Sequence, residues 1–222
     1  MKYILSQERE TVLQEKKSKH FTYRYSYVRA KETQDLNESG QDFLVFQDNG
    51  TSFIFVLCDG VGMSFHGEIA AEFLGMKLLN LFETCQESGQ DIPTLLDEQL
   101  NNWIEEASEE VSAFRLPEET PWLLRDVLEE KRKQGSEAMF IGGKIELIPN
   151  QDKVQITIVV HGMYIKLTNS YKLVSFNIVF VMMYKRCHTV TTKLTNLCYL
   201  KTDELKALDC QLKTTSAFFV SV

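Results

Sequence analysis

Four consecutive residues, Asp59-Gly60-Val61-Gly62, carry the clearest chemical signal in the chain. They follow Ser52 to Cys58 (SFIFVLC), a continuous apolar run of the kind that forms an interior strand. A carboxylate where a buried strand ends is held on a rigid support, and a hard divalent cation needs such oxygen ligands. Gly60 and Gly62 would let the backbone turn sharply and bring a carbonyl close to an ion. Asp42 opens the neighbouring strand candidate, so the two carboxylates could converge across a sheet edge. The same residues also read as an ordinary turn, with Asp59 capping Gly60 and Asp42 exposed to water. A strand, a glycine loop and a helix in succession further suggest dinucleotide binding, but the spacing fails. The third glycine is Gly67, where that motif needs one in place of Phe65, and Asp59 would repel a pyrophosphate beside it.

The elements that must position these residues can be read from the pattern around them. Residues 21–29 (FTYRYSYVR) alternate aromatic and polar types and predict one strand; Asp42 to Gln47 predicts a second. Between them KETQDLNESG reads as a polar loop, and Asp48-Asn49-Gly50 supplies a turn before the Ser52 strand. From Gly67 to Phe82, the residues Ile69, Phe73, Met76, Leu79 and Phe82 recur at helical steps and predict one buried stripe. A second helix is expected over Ile92 to Phe114, with Leu96, Leu100, Trp103, Ile104 and Ala107 inward and a solvated glutamate face outward. A third, Pro121 to Lys133, begins on a proline suited to a first turn and ends in Lys131, Arg132 and Lys133, which favour the negative end of the helix dipole. Ala138 to Ile148 and Val154 to Leu167 read as strands joined by a turn at residues 149–152, and the apolar run Leu173 to Tyr184 as a buried strand. Strands, then helices, then hairpin-linked strands predict an α+β layered sandwich.

Composition narrows the function. At 222 residues, 44% hydrophobic and 25% charged, the chain can bury a core and fits a single domain over 1–222. A net charge of −7 argues against nucleic-acid binding, which needs a basic face. No apolar run reaches the roughly 18 residues of a membrane span, and the N-terminus lacks a signal peptide's apolar stretch. Five widely spaced cysteines without a CxxC pair argue against a disulfide framework or a structural zinc site, and fit a cytoplasmic protein. Cys187-His188, Cys198 and Cys210 are too dispersed for a metal cluster, and His66 reads as a solvated loop residue.

At this point a resemblance becomes specific. GQDFLVF at 40–46 and FIFVLCDGVGMSFHGEIAAEFLG at 53–75 resemble the paired opening motifs of the metal-dependent, type 2C protein serine/threonine phosphatases, notably their bacterial branch. Gln41-Asp42, Asp59-Gly60-Val61-Gly62 and Gly67-Glu68-Ile69-Ala70 stand at the places of those motifs. Gly135-Ser136-Glu137-Ala138 is similar to the family's Gly-Ser-Thr-Ala strand opening. The resemblance covers residues 37–148. It implies an α-β-β-α sandwich of two mainly antiparallel sheets flanked by helices, incomplete at the C-terminal end. It also implies hydrolysis of a phosphoserine or phosphothreonine in a phosphoprotein substrate, with two Mn2+ or Mg2+ ions sharing an aspartate and a bridging water. Asp59 would be the bridging ligand, the Gly60 carbonyl would bind one ion, and Asp42 would act beside them. An inactive phosphatase-like binding module is the alternative.

The sequence also departs from the family. Gly40 stands where the first motif usually has Asn, and Asn37 where many members carry a phosphate-binding arginine; Arg24 and Arg29 lie further upstream and would need a rearranged loop to reach. The family's later Gly-Asp, Asp-Gly and Asp-Asn pairs have no counterpart. His161-Gly162 stands at the first, and the only acidic residues after 160 are Asp203, Glu204 and Asp209. Residues 161–222 hold eight Lys/Arg against three Asp/Glu, so −12 of the net charge rests on residues 1–160. That tail is expected to be diverged or non-family sequence, the product of a truncated or altered reading frame.

Overall fold

The computed structural model describes residues 1–85, 92–148, 153–160, 163–170, 177–181 and 217–221. Ten strands and five helices lie within them: β1 Lys2–Ile4, β2 Thr11–Lys17, β3 Thr22–Tyr27, α1 Lys31–Asp35, β4 Asp42–Asp48, β5 Ser52–Gly60, α2 Gly67–Thr84, α3 Ile92–Asn102, α4 Ile104–Ala113, α5 Trp122–Gln134, β6 Ala138–Ile148, β7 Lys153–Val160, β8 Met163–Ser170, β9 Asn177–Val181 and β10 Ala217–Ser221. Every described strand pair is antiparallel, in a six-stranded sheet ordered β1-β4-β5-β6-β7-β8 and a four-stranded sheet ordered β2-β3-β10-β9. The expected α+β class with two antiparallel sheets therefore holds.

Strand alternation builds two cores from one sheet. Side chains on a strand point to opposite faces in turn, and the central strands β4 and β5 are apolar on both. Leu44, Phe46, Phe53, Phe55 and Leu57 face the second sheet, where Phe21, Tyr23, Tyr25 and Tyr27 meet them. Phe43, Val45, Ile54, Val56 and Cys58 face α2 and pack on Ala71, Leu78, Leu79 and Phe82. The inter-sheet core is a connected aromatic cluster. Phe46 stacks on Tyr3 at 4.8 Å between centroids and meets Tyr23 edge-on at 5.4 Å; such pairs add about 0.5–1.5 kcal/mol each beyond their burial.

The pattern reading of α2 holds for Leu79 and Phe82 but misplaces the rest of the buried face. Gly67, Ala71, Gly75, Leu78, Leu79, Leu81 and Phe82 are buried, while Ile69, Phe73 and Met76 are only partly so. The reason is steric: small residues let the helix lie close to the sheet. A methyl group on Gly75 would come within 2.4 Å of the Phe43 ring.

Other boundaries shift for equally local reasons. The helix expected over Ile92 to Phe114 is interrupted at Trp103, giving α3 and α4; Leu96 is buried, but Ile104 is exposed. Pro121 caps α5 from outside rather than opening it, and the basic last turn is as expected. The run Val154 to Leu167 is two strands, β7 and β8, paired with Val160 opposite Met163; alternation of period 2 on both arms reads as one long run. The loop after β3 contains the short helix α1, closed by Asn37 at φ 55°. Of Leu173 to Tyr184, residues 177–181 form β9, paired with β10; the rest, like TDELKALD at 202–209, lies outside the described residues.

Gly75→Ala tests the close approach. Helix propensity alone would favour alanine by about 1 kcal/mol, but overpacking against Phe43 costs about 1–3 kcal/mol. The expected net result in urea denaturation is a loss of roughly 1 kcal/mol; a gain would mean that α2 does not press on Phe43.

Candidate functional site

The carboxylates meet because of the β4–β5 hairpin. Its turn is built by Gly50 at φ 83°, with the Asn49 N–H donating to the Ser52 carbonyl (2.9 Å) and the Gly50 N–H to Asp48 Oδ1 (2.8 Å). The resulting register pairs Asp48 with Phe53 at one end and Asp42 with Asp59 at the other. Asp42 and Asp59 share the parity of Leu44 and Leu57, so both stand on the inter-sheet face, at its open end. Both are half-buried.

Their electrostatics follow from that opposition. Two facing carboxylates withdrawn from water cannot both ionise at ordinary cost, so one keeps its proton and donates it to the other. Burial, then the Asp59 charge and the hydrogen bond to it, push Asp42 up to about 7. Burial also raises Asp59, while the hydrogen bond from Asp42 opposes that rise and leaves Asp59 the better anion. The reading of Asp42 as an exposed residue beside a simple turn is thereby overturned.

Gly60 is the last residue of β5, still paired opposite Ala138 of β6, so the strand stops at the Asp59-Gly60 step as expected. The turn expected here is present, closed by the Ser64 N–H donating to the Val61 carbonyl at 2.9 Å, but neither Gly60 nor Gly62 has the positive φ that would reserve its place for glycine. What demands glycine is proximity. A methyl group on Gly60 would lie 2.5 Å from the carbonyl carbon and oxygen of Gly67 and 2.8 Å from the Gln41 oxygen; one on Gly67 would lie 2.8 Å from the Gly60 carbonyl carbon. The loop 61–66 thus leaves Asp59-Gly60 and returns to lay Gly67, the first residue of α2, against the backbone it left.

The segment before β6 holds this loop. The Val61 N–H donates to the Glu137 carbonyl (2.8 Å) and the Phe65 N–H to the Gly135 carbonyl (3.1 Å). Ser64 Oγ accepts from the Glu137 N–H (3.1 Å) and donates to the Val61 carbonyl (2.7 Å). Ser136 Oγ donates to the His66 carbonyl (2.8 Å) and accepts from the Ala70 N–H (3.1 Å). Sequence reasoning marked the Gly135-Ser136-Glu137-Ala138 segment by resemblance but did not see this clasp, which spans some 70 residues of chain.

His66 is not a solvated loop histidine. Its Nδ1 lies 2.7 Å from Glu68 Oε1, and its ring packs against Phe65 and Phe114 at 4.7 and 4.4 Å. Arg29 is closer than the sequence suggested. Its side chain lies against Gly40, just before Gln41-Asp42, with Nη1 donating to the Glu38 carbonyl and Nε paired with Glu10 at 2.8 Å. Arg24 stays on the second sheet, paired with Glu15. His161, Cys187, His188, Cys198, Asp203, Glu204, Asp209 and Cys210 lie outside the described residues.

Among the described residues, no group of three or more His, Cys, Asp and Glu side chains stands together to hold a metal ion. The donor set among the described residues is therefore two carboxylates with the backbone beside them. Cys58 and Cys85 are free thiols, and no described helix is long and apolar enough to cross a membrane. No protein-family model, curated protein or solved structure matches the chain.

The shared proton has a signature in stability. In the fold Asp42 holds its proton to about pH 7, whereas an unfolded aspartate ionises near pH 3.9. The folded state therefore binds more protons between these values. This contribution is fully present below about pH 4 and is lost as pH rises through 7. With the pair partly in contact with water, the loss is on the order of 2 kcal/mol. Asp42→Asn, which keeps a donor toward Asp59 without the charge, is expected to remove this slope and be the more stable protein at pH 8. Urea midpoints at pH 5 and 8 measure it; equal slopes in both proteins would mean that no proton is shared.

Proposed function

We propose that the chain is a divalent-cation-dependent phosphatase of the type 2C kind, acting on phosphoserine or phosphothreonine in a protein substrate. On this reading its two sheets are the inner layers of an α-β-β-α sandwich. The observation that carries the proposal is the direct opposition of Asp42 and Asp59 on the inter-sheet face. Two carboxylates close enough to share a proton form a site whose charge a divalent cation neutralises better than a proton does, and Mn2+ and Mg2+ take oxygen ligands.

The described residues fit one such ion. Asp59 and Asp42 would hold it, with the Gly60 carbonyl as a further oxygen, and the ion would supply a water of lowered pKa. They do not provide a second ion with ligands of its own. The chain's own contribution is to hold Asp59 as an anion at the end of a buried strand, and to fix Asp42 opposite it by the hairpin register. Arg29, beside Gly40 and anchored on Glu10, is the cation next to the segment that leads to Asp42.

The absence of a three-ligand cluster among the described residues favours a second reading, a module of the same fold that binds one ion without turnover. Hydrolysis of a phosphothreonine peptide by the purified chain with Mn2+ separates the two. The first reading expects turnover abolished by a chelator and reduced at least about 100-fold in Asp59→Asn, the scale on which losing a central electrostatic group acts. Mn2+ binding that Asp59→Asn removes, without turnover in the folded wild type, would establish the second reading and sink the first.

A further inference from the structure

The loop after Asp59 is closed by a residue that touches neither carboxylate. α2 begins at Gly67 without a capping side chain: its N-cap, His66, sits in the left-handed region at φ 44° and ψ 69° and makes no side-chain cap. The His66 carbonyl at the start of the helix takes the Ile69 N–H at 2.9 Å, and the Ala70 N–H, which in a regular helix would return to that same carbonyl, finds its acceptor in another part of the chain. Ser136 Oγ accepts the Ala70 N–H at 3.1 Å and donates its own proton to the His66 carbonyl at 2.8 Å.

These two bonds fall on either side of Gly67. One holds the residue before it, the other the first turn of α2 after it, so the hydroxyl fixes where the Gly67 backbone lies. Gly67 in turn rests on the backbone of Gly60, where an added methyl group would sit 2.5 Å from Gly67 atoms. Gly60 is the residue after Asp59, and its N–H donates to the Gln41 carbonyl at 3.2 Å, one residue before Asp42. A short path of direct contacts thus runs from Ser136 through His66 and Gly67 to the backbone on which both carboxylates stand.

We propose that Ser136 is a positioning residue for the Asp42–Asp59 pair, its hydroxyl inserted between the Ala70 N–H and the His66 carbonyl in the first turn of α2, where it holds α2 against Gly60 and so sets how the carboxylates face each other. The left-handed conformation of His66 agrees with this role, because a non-glycine residue stays there only where its surroundings hold it. Neighbouring contacts from Gly135 and Glu137 secure the rest of the loop, and the local Ile69 N–H to His66 carbonyl bond (2.9 Å) also spans Gly67; the Ser136 hydroxyl adds the tie from the segment before β6 to both sides of Gly67.

The inference rests on the cation-binding reading for its consequence, and the test is arranged so that each can fail alone. Mn2+ binding is measured by electron paramagnetic resonance on folded wild type, Ser136→Ala, Ser136→Thr and the core variant Ile156→Ala, well below their melting temperatures. Amide exchange at Ala70 and the carboxyl carbon shifts of Asp42 and Asp59 are read by NMR on the same proteins without metal. Expected are about a tenfold loss of Mn2+ affinity, faster exchange at Ala70 and displaced carboxyl resonances in Ser136→Ala. Ser136→Thr, which keeps the hydroxyl, should restore all three readouts. Ile156→Ala, which lowers stability from a buried position on β7, should leave affinity and shifts as in wild type. If wild type binds no Mn2+, the cation reading fails, and the positioning role is then decided by the carboxyl shifts alone. Unmoved shifts in Ser136→Ala, or equal changes in Ile156→Ala, would overturn the proposal.

Discussion

The antiparallel register of β4 on β5 is the constraint from which the rest of the structure follows. Side chains alternate along both strands, so one pairing decides at once which residues face the second sheet, which face α2, and which stand opposite each other at the open end. A slip by one residue would place Asp59 opposite a residue of other parity and turn the aromatic row Phe46, Phe53 and Phe55 away from the tyrosines of β3. The pairing of Asp42 with Asp59 is therefore anchored by two hydrophobic cores, and a proton-sharing pair that is unfavourable by itself at neutral pH can persist.

Strain at the site is concentrated in the loop that follows. β5 delivers Asp59 and Gly60 as regular strand, and the chain must then return within six residues to start a helix on the same sheet. It does so with one left-handed residue, His66, and one backbone-to-backbone contact, Gly60 against Gly67. Hydrogen bonds from residues 135–137, which lead into the neighbouring strand β6, satisfy the polar groups that this return exposes. The glycines here are required by crowding, not by turning.

Much of the architecture was legible in order and type. The apolar run at Ser52, the strand candidate at Asp42 to Gln47 and the turn at Gly50 made a hairpin readable, and a candidate carboxylate pair could be named from it. Beyond Leu79 and Phe82 the buried face of α2 was not legible, because hydrophobicity marks Ile69, Phe73 and Met76 while close packing selects Ala71 and Gly75. A moment argument weighs residues by polarity and is blind to the advantage of having almost no side chain where a helix meets a phenylalanine ring. The split of Val154 to Leu167 was hidden for a related reason: alternation does not record the direction of the chain.

By itself the sequence determined what is local: strand and helix type, the Gly50 turn, the acidic residue at the end of a buried strand, and the basic last turn of α5. These depend on neighbours in the chain and on periodicity, which a linear reading contains. Only the tertiary structure decided that Asp42 and Asp59 stand opposite each other and that Asp59 raises Asp42's hold on a proton, that Arg29 lies against Gly40 with Glu10 on its guanidinium, and that the Ser136 hydroxyl ties into the first turn of a helix beginning 69 residues earlier. Each of these is set by the approach of backbones remote in sequence. The free energy of such contacts comes from burial and geometry that no single segment carries.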